Sequence, residues 1–354
     1  MTSPPALSVR GLTRRFGAVA AVDDFNLDVP SGAFVVLVGP SGCGKTTVLR
    51  LMAGLEPASS GSLEAGGRDL ARVGPADRGM GMVFQSYALF PNLSVAENIA
   101  FGLPRALPRA RRDARVAELL EVVGLPGLER RRPDQLSGGQ QQRVAMARAL
   151  APSPATLLLD EPLSALDPHN RERLRLELKM LQRRLGVTTI MVTHDQAEAL
   201  ALADLIVVMR QGRIEQIGTP EIVYGRPANS FVARFLGAIN LWPATVAGPD
   251  DVELQGGGGR IALGTDPFAV GDPVVVGVRP EAVACGDASE GGVAATIEAS
   301  EFRGAMARLT GTMAGGAEVV ADVPAETAHG LVGRSVGVRI APGQARLFPA
   351  DSNP

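Results

Sequence analysis

Residues 39–46 read Gly39-Pro40-Ser41-Gly42-Cys43-Gly44-Lys45-Thr46, which fits the pattern G-x-x-x-x-G-K-T. The apolar run Phe34–Val38 precedes this stretch, and a helical pattern begins close to Thr47. A buried strand that enters a glycine-rich turn and then a helix directs backbone N–H groups towards one point, beside the positive helix N-terminus. Such a point binds phosphate, so the stretch predicts a nucleotide-binding α/β fold in which Lys45 contacts phosphate and Thr46 binds Mg²⁺. The alternative is a glycine-rich turn that binds no ligand.

Length and composition limit the class of protein. A chain of 354 residues predicts two domains, and 45% hydrophobic with 20% charged residues is typical of a soluble globular protein. No apolar run approaches the roughly 20 residues that cross a bilayer, and Met1–Leu12 lacks the apolar centre of a signal peptide. The two cysteines, Cys43 and Cys285, suggest no disulfide framework. We therefore expect the protein to stay in the cytosol.

Charge is distributed unevenly along the chain. Residues 241–354 contain 7 basic and 14 acidic side chains, whereas residues 1–240 contain 28 basic and 23 acidic ones. An acidic C-terminal third is a poor surface for the phosphate backbone of DNA or RNA. No nucleic-acid partner is expected.

Strand and helix patterns alternate through the first two thirds of the chain. Apolar strands are predicted at Met80–Phe84, Thr156–Glu161 and Thr188–Val192, and helices at Arg109–Val123 and Asp167–Leu185. This alternation predicts a mostly parallel sheet covered by helices. The last of these helices is expected to direct four leucines inward: Leu174, Leu178, Leu181 and Leu185.

The pattern changes in the C-terminal third. From Leu241 onward helical periodicity disappears, and short β-branched runs such as Val274–Val278 and Val336–Ile340 alternate with glycine and proline. Short strands with such turn signals indicate a small all-β domain, which we expect to be a barrel.

Acidic and histidine side chains follow two of the predicted strands. Asp160 and Glu161 end an otherwise apolar strand, and His194 comes just after the strand Thr188–Val192. In open α/β sheets, ligands bind at the carboxyl ends of the strands. These residues therefore indicate a site; the alternatives are an ion pair at the sheet edge and an ordinary loop histidine.

The segment Leu136-Ser137-Gly138-Gly139-Gln140 opens another predicted helix, which runs to about Leu150. Ser137 and Gln140 have the spacing of a capping box, as do Ser94 and Glu97 earlier in the chain. The two glycines leave the helix N-terminus open to close approach. A second anion site and a plain N-cap remain equal alternatives for this segment.

Six motifs occur in a fixed order along this sequence: the phosphate loop, Gln85, Leu136–Gln140, Leu158–Glu161, Ser164–Asp167 and His194. Together they resemble the ATP-binding cassette of an ABC transporter, and correspond to the family's Walker A, Q-loop, signature, Walker B, D-loop and switch histidine. The flanking stretches Phe84–Pro91 and Gln141–Leu150 resemble bacterial importers in particular, and Gly277–Glu281 resembles the TOBE domain of the maltose, polyamine and ferric-iron importer ATPases.

The resemblance implies a fold and a domain plan. Residues 1–237 would form a P-loop NTPase of the ABC type, an α/β fold with a mixed sheet and a helical subdomain at about 86–152. Residues 238–354 would form a small all-β regulatory domain, the OB-like TOBE fold. The implied activity is ATP hydrolysis coupled to import across a membrane.

The resemblance also implies roles for single residues, with ATP and Mg²⁺ as ligands. Glu161 would polarise the attacking water, His194 would contact the γ-phosphate, and Gln85 would assist catalysis. Thr46, Asp160 and Gln85 would bind Mg²⁺ directly or through water. The implied nucleotide-binding residues are Phe16, Gly39, Pro40, Ser41, Gly42, Cys43, Gly44, Lys45, Thr46, Thr47, Ser137, Gly138, Gly139 and Gln140.

Two of these residues depart from the family pattern. Phe16 stands where the family often has tyrosine; it could stack on adenine or be an ordinary core aromatic. Cys43 lies inside the phosphate loop, where the loop amides and Lys45 are expected to lower the pKa of its thiol. We expect alkylation of Cys43 to block ATP binding.

The resemblance implies partners as well. Two copies of the chain would enclose two ATP molecules, each copy contributing its signature segment to the other's site. A Tyr87–Phe90 surface beside Gln85 would face separate membrane permease subunits, which receive solute from a periplasmic or lipid-anchored binding protein. The chain would then be peripheral, at the cytoplasmic face of the inner membrane.

Other function classes fit less well. A GTPase is disfavoured because the sequence has no Asn-Lys-x-Asp motif, and an exporter is disfavoured by the C-terminal β domain. A non-transport ABC ATPase acting on nucleic acid would need a long coiled coil or a second cassette. Within importers, Phe235–Leu241 favours polyamine or ferric-iron relatives, with sugar, phosphonate and other importers as alternatives.

Overall fold

The computed structural model describes residues 4–164, 168–287, 292–341 and 343–350, without the side chains of residues 168–170. The predicted D-loop residues 165–167 lie outside the described residues. Contacts between Cα atoms divide the chain into two units, Met1–Pro220 and Glu221–Pro354.

Within the described residues, the first unit combines two sheets with six α-helices. The strands are β1 (Leu7–Phe16), β2 (Val19–Val29), β3 (Phe34–Val38), β4 (Ser60–Ala65), β5 (Arg68–Asp69), β6 (Met80–Val83), β7 (Thr156–Asp160), β8 (Thr188–Thr193), β9 (Leu205–Arg210) and β10 (Arg213–Gly218). The helices are α1 (Lys45–Ala53), α2 (Val95–Ala100), α3 (Arg109–Val122), α4 (Gly138–Leu150), α5 (Pro168–Leu185) and α6 (Gln196–Leu202).

The larger sheet has the strand order β10-β9-β3-β8-β7-β6. All its neighbouring strands are parallel except β9 and β10, which are antiparallel. Every residue of β3, β7 and β8 is buried, as expected for strands covered on both faces. The predicted mostly parallel sheet is therefore confirmed, with one antiparallel edge strand.

The smaller sheet of the first unit is antiparallel, with the order β2-β1-β4-β5. Its apolar side chains share a core with α1 and the larger sheet, and this core includes Phe25, Leu49, Met52 and Leu158. The core fixes α1 against β3, so the loop between them has a rigid support on both sides.

The predicted helix boundaries hold for most elements. Gly54 ends α1 with a left-handed φ of 76°, and its N–H bonds to the Leu51 carbonyl. Both predicted capping boxes, at the start of α2 and of α4, are present.

The prediction for α5 is wrong at its last leucine: Leu185 is 40% exposed, while Gln182 is buried. The Gln182 amide donates to the carbonyls of Gly32 and Val187, which compensates its burial.

The second unit consists of short helices followed by strands. The helices are α7 (Pro220–Gly225) and α8 (Ser230–Phe235). The strands are β11 (Asn240–Gly248), β12 (Asp251–Leu254), β13 (Arg260–Ala262), β14 (Pro273–Val278), β15 (Val283–Asp287), β16 (Val293–Phe302), β17 (Met306–Met313), β18 (Glu318–Pro324), β19 (Ser335–Ile340) and β20 (Ala345–Pro349).

These strands form two antiparallel sheets of five strands, ordered β13-β12-β11-β14-β20 and β15-β19-β16-β17-β18. One apolar core lies between them and includes Trp242, Val276, Leu309 and Val338. The predicted all-β domain is confirmed, and its strands divide between two sheets that share this core.

The contact division falls at residue 220, whereas the predicted domain boundary is at residue 237. Arg279 explains why the intervening segment groups with the strands. Its guanidinium donates to the carbonyls of Gly237, Ala238 and Tyr224, and it stacks 4.1 Å from the centre of the Tyr224 ring. The ranges 1–237 and 238–354 stay a prediction.

Candidate active site

Four neighbouring strands of the larger sheet bring the predicted site residues to one edge. The carboxyl end of β3 leads into the phosphate loop, and that of β8 leads to His194. The carboxyl ends of β7 and β6 lead to Glu161 and Gln85 respectively. Because the strands are parallel, these four ends meet at the same side of the sheet. Residues that lie far apart in sequence thereby form one site.

The phosphate loop depends on glycine at two positions. Gly44 has a φ of 103°, and a Cβ atom there would lie 2.1 Å from the Ala21 carbonyl oxygen. At Gly39, a Cβ atom would lie 2.3 Å from the Met209 carbonyl oxygen. A side chain at either position would therefore force the loop away from its strands. The predicted residues Pro40, Ser41 and Gly42 are exposed, whereas Thr46 and Thr47 are half-buried in the first turn of α1.

Lys45 lies inside this loop, and only 6% of it is exposed. Its ammonium group donates to the carbonyl oxygens of Gly39, at 2.7 Å, and Pro40, at 2.9 Å. A buried ammonium group needs such partners because burial alone would be costly. The positive charge is thus held at the centre of the loop, where a phosphate group would bind.

Thr46 and Asp160 present oxygen atoms to each other across the site. The Thr46 hydroxyl donates to Asp160 Oδ1 at 3.0 Å. Burial raises the pKa of Asp160, and the hydrogen bond from Thr46 opposes that rise. Hydroxyl and carboxylate oxygens are the ligands that Mg²⁺ prefers. Among the described residues no cluster of three or more His, Cys, Asp and Glu could hold a metal by itself. The pair fits a magnesium ion that also takes ligands from phosphate or water.

Glu161 contacts the other two predicted catalytic residues, Gln85 and His194. Its Oε2 accepts a hydrogen bond from the Gln85 amide at 3.1 Å, and its Oε1 lies 3.1 Å from His194 Nδ1. Its backbone has a left-handed φ of 44°, an uncommon conformation for a residue with a side chain. Its N–H donates to the Val192 carbonyl of β8. The structure therefore holds Glu161 in a turn at the end of β7, fixed by its hydrogen bond to β8, and directs its side chain towards Gln85 and His194.

The signature segment lies at the N-terminus of α4. The Ser137 hydroxyl accepts the Gln140 N–H at 3.3 Å, and the Gln140 side chain accepts the Ser137 N–H at 2.9 Å. Ser137 and Gly138 are exposed. Among the described residues, no hydrogen bond joins this segment to residues 39–46. The capping role is thus confirmed, and it leaves the segment accessible to a ligand.

Phe16 is exposed to 48% at the end of β1, so the alternative of a core aromatic is wrong. The guanidinium carbon of Arg14 lies 4.5 Å from the centre of its ring. An exposed ring keeps Phe16 a candidate for contact with adenine.

The expectation that the phosphate loop lowers the pKa of the Cys43 thiol is wrong, whereas the effect of alkylation on ATP binding stays a prediction. The residue is 5% exposed, and burial raises the pKa of its thiol. Lys45 Nζ lies 3.8 Å from the sulfur and lowers the pKa, but the loss of solvent outweighs this effect.

Tyr87 is also buried, so it does not belong to the surface that we expected at residues 87–90.

The sequence did not reveal the role of Arg148 near the end of α4. Its guanidinium donates to the carbonyl oxygens of Tyr87 and Ala88, each at 2.8 Å. These two residues have left-handed φ values of 59° and 46°. Arg148 therefore ties the turn that follows Gln85 to the helix that carries the signature segment. The one sign of this contact is the positive φ of Tyr87 and Ala88, and those values cannot be read from the sequence because they arise in the tertiary structure.

Comparison with known proteins gives matches in both units. The family model described as ABC transporter matches residues 22–164, and the TOBE domain model matches residues 276–348. The chain is 54% identical over 307 residues to a sulfate/thiosulfate import ATP-binding protein of Chromobacterium violaceum, covering 86% of this chain and 83% of that protein. It is 51% identical over 311 residues to a spermidine/putrescine import ATP-binding protein of Methylococcus capsulatus, covering 86% of this chain and 81% of that protein.

One solved structure is similar to part of the chain. It is a dimeric ATP-binding cassette in a post-hydrolysis state, bound to ADP and Pi. The match has 32% identity and a TM-score of 0.54, and covers 60% of this chain and 98% of that one.

Proposed function

This chain belongs to the ABC transporter family of ATP-binding proteins, and from that premise we propose that it is the ATP-hydrolysing subunit of a bacterial importer. The observation that carries the proposal is the set of contacts among Gln85, Glu161 and His194 beside the phosphate loop. Together these residues supply a carboxylate, an imidazole and an amide where the γ-phosphate of ATP would lie.

Hydrolysis of a γ-phosphoryl group depends mainly on positioning and on stabilising charge. Lys45 and the loop N–H groups would bind the β- and γ-phosphates. Glu161 would accept a hydrogen bond from the attacking water and orient it, while His194 would contact the γ-phosphate. Thr46 and Asp160, with Gln85, would hold Mg²⁺, which supplies positive charge to the phosphate oxygens when bound.

We propose that the active form contains two copies of the chain. The exposed signature segment, Ser137–Gln140, would contact the ATP held by the partner copy, so each site would be incomplete in one chain alone. The similar dimeric cassette with ADP and Pi supports this arrangement. ATP would join the two copies because its γ-phosphate contacts both, and hydrolysis would release them.

The membrane partners follow from the same proposal. The described residues include no helix that is both long and apolar enough to span a bilayer. Separate permease subunits would form the path, with a solute-binding protein acting through them, and this chain would lie at the cytoplasmic face of the inner membrane. The solute would be a polyamine, ferric iron or a similar small solute. The two relatives named above import solutes of opposite charge, which agrees with a subunit that does not contact its cargo.

The variant Glu161→Gln tests the proposal. It keeps the shape of the side chain but removes the negative charge that would orient water. We expect the purified variant to bind ATP with magnesium, to remain a dimer on size-exclusion chromatography and to hydrolyse ATP very slowly. Glu118→Gln on α3 is the matched control, because Glu118 is exposed and, among the residues that the structure describes, its side chain bonds only to Arg115. Normal turnover by Glu161→Gln would remove Glu161 from its proposed role.

A further inference from the structure

Glu198 is a buried carboxylate that the proposed reaction does not use. It is 3% exposed and is the third residue of α6. Burial raises its pKa, which shows that the surroundings oppose its charge. A buried carboxylate near an active site requires a structural reason.

The partner of Glu198 is the last residue of β8. The Thr193 hydroxyl donates to Glu198 Oε2 at 2.6 Å, and the Thr193 hydroxyl oxygen accepts the Asp195 N–H at 3.0 Å. His194 lies between Thr193 and Asp195. The hydroxyl therefore links Glu198 to the backbone on the far side of His194.

An ordinary capping box would not contain this link. In a capping box, the acid at the third helical position accepts the N–H of the N-cap residue directly. Here Asp195 is the N-cap, and its side chain accepts the N–H groups of Ala197 and Glu198. The N–H of Asp195 itself donates to the Thr193 hydroxyl oxygen and not to Glu198. Glu198 thus orients the Thr193 hydroxyl instead of capping the helix backbone.

The backbone around His194 is consequently fixed on both sides. Thr193 pairs with Val38 of β3, the residue just before the phosphate loop. Asp195 is fixed by its N–H bond to Thr193 and by its side chain, whose Oδ2 lies 3.5 Å from Arg171 Nη1. The imidazole of His194 is more than half exposed, so these backbone contacts and Glu161 are what orient it.

We propose that Glu198 is a positioning residue for His194 and acts through the Thr193 hydroxyl. This inference rests on the proposed ATPase function. Without Glu198 the hydroxyl is free to rotate, the Asp195 N–H loses a fixed acceptor, and His194 samples positions away from the γ-phosphate. Glu198 touches neither nucleotide nor water in this scheme.

The test is a double-variant cycle on the full-length protein. We expect Glu198→Ala to lower kcat about tenfold or more, the effect of one lost hydrogen bond to a buried charged group, while KM for ATP changes less than about twofold. In a His194→Ala background, Glu198→Ala should change kcat by less than about twofold, because the residue it positions is already absent. Glu198→Gln keeps an acceptor for Thr193 and should restore most of kcat.

A purely structural role gives a different result. If Glu198 only stabilises α6, Glu198→Ala will lower the thermal midpoint and reduce kcat by the same factor with or without His194, and that additivity would overturn the proposal. Thr193→Val provides an independent check, since it should act like Glu198→Ala and add nothing to it. If the proposed function itself is wrong, the protein without any substitution will show no ATPase activity, and this result is distinct from the outcomes above.

Discussion

At the scale of single residues, Cys43 offers a direct measurement. Its thiol is buried in the phosphate loop and its pKa is raised by burial, so the thiolate fraction at neutral pH is smaller than for a free cysteine. We expect a disulfide reagent to modify Cys43 in the folded protein more slowly than in urea, and faster as the pH increases. Cys285→Ala leaves Cys43 as the only thiol and makes the rate specific to it. Equal rates in the folded and unfolded protein would contradict this expectation.

The sequence identified the residues of the site better than their surroundings. The phosphate loop, Glu161 and His194 follow strands, and that order can be read directly from the chain. The sign of the Cys43 pKa shift could not be read in this way, because it depends on how far the folded loop buries the sulfur relative to the opposing effect of Lys45. The left-handed φ of Glu161 could not be predicted from the sequence either, because it depends on the hydrogen bond from the Glu161 N–H to the Val192 carbonyl of another strand.

At the scale of elements, α2 and α4 start with the same capping box, and this allows a matched pair of variants. Ser94→Ala and Ser137→Ala each remove one N-cap hydroxyl, so each should destabilise the protein by about 1 kcal/mol in denaturant unfolding. Only Ser137→Ala should also lower the ATPase activity of the isolated subunit, because only Ser137 is proposed to contact the partner's ATP. Equal losses of activity would indicate that Ser137 serves as a cap alone.

Local signals predicted the helices, but not how the strands assemble. The capping boxes and Gly54 act within a few residues, and the structure confirms them. The order β3-β8-β7-β6 depends on pairing between distant segments, which no short pattern reports. Likewise Gln182 is buried because carbonyl groups at Gly32 and Val187 accept its amide, and Gly32 is 150 residues away in the chain.

At the scale of the whole molecule, the proposed dimer predicts complementation between two inactive variants. Lys45→Ala removes the ammonium group from the phosphate loop, and Ser137→Arg blocks the signature segment. Each variant alone would form only incomplete sites. A mixed dimer contains one site built from the intact loop of one chain and the intact signature of the other, so mixing the two variants should restore ATPase activity.

The double variant, with both substitutions in one chain, is the matched control for this mixture. Combined with either single variant it cannot form an intact site, so the mixture should stay inactive. If the two single variants also remain inactive together, although each still dimerises with unmodified chain, then the sites are not shared between copies.

The site also makes many hydrogen bonds within itself. Lys45 bonds to two loop carbonyls, Thr46 bonds to Asp160, and both oxygens of Glu161 have partners. Nucleotide binding therefore exchanges one set of bonds for another, and its net free energy is the difference between the two. A lone phosphate ion offers too few acceptors to replace all these bonds together. Discrimination in favour of a triphosphate would thus arise in part from contacts that the protein makes with itself.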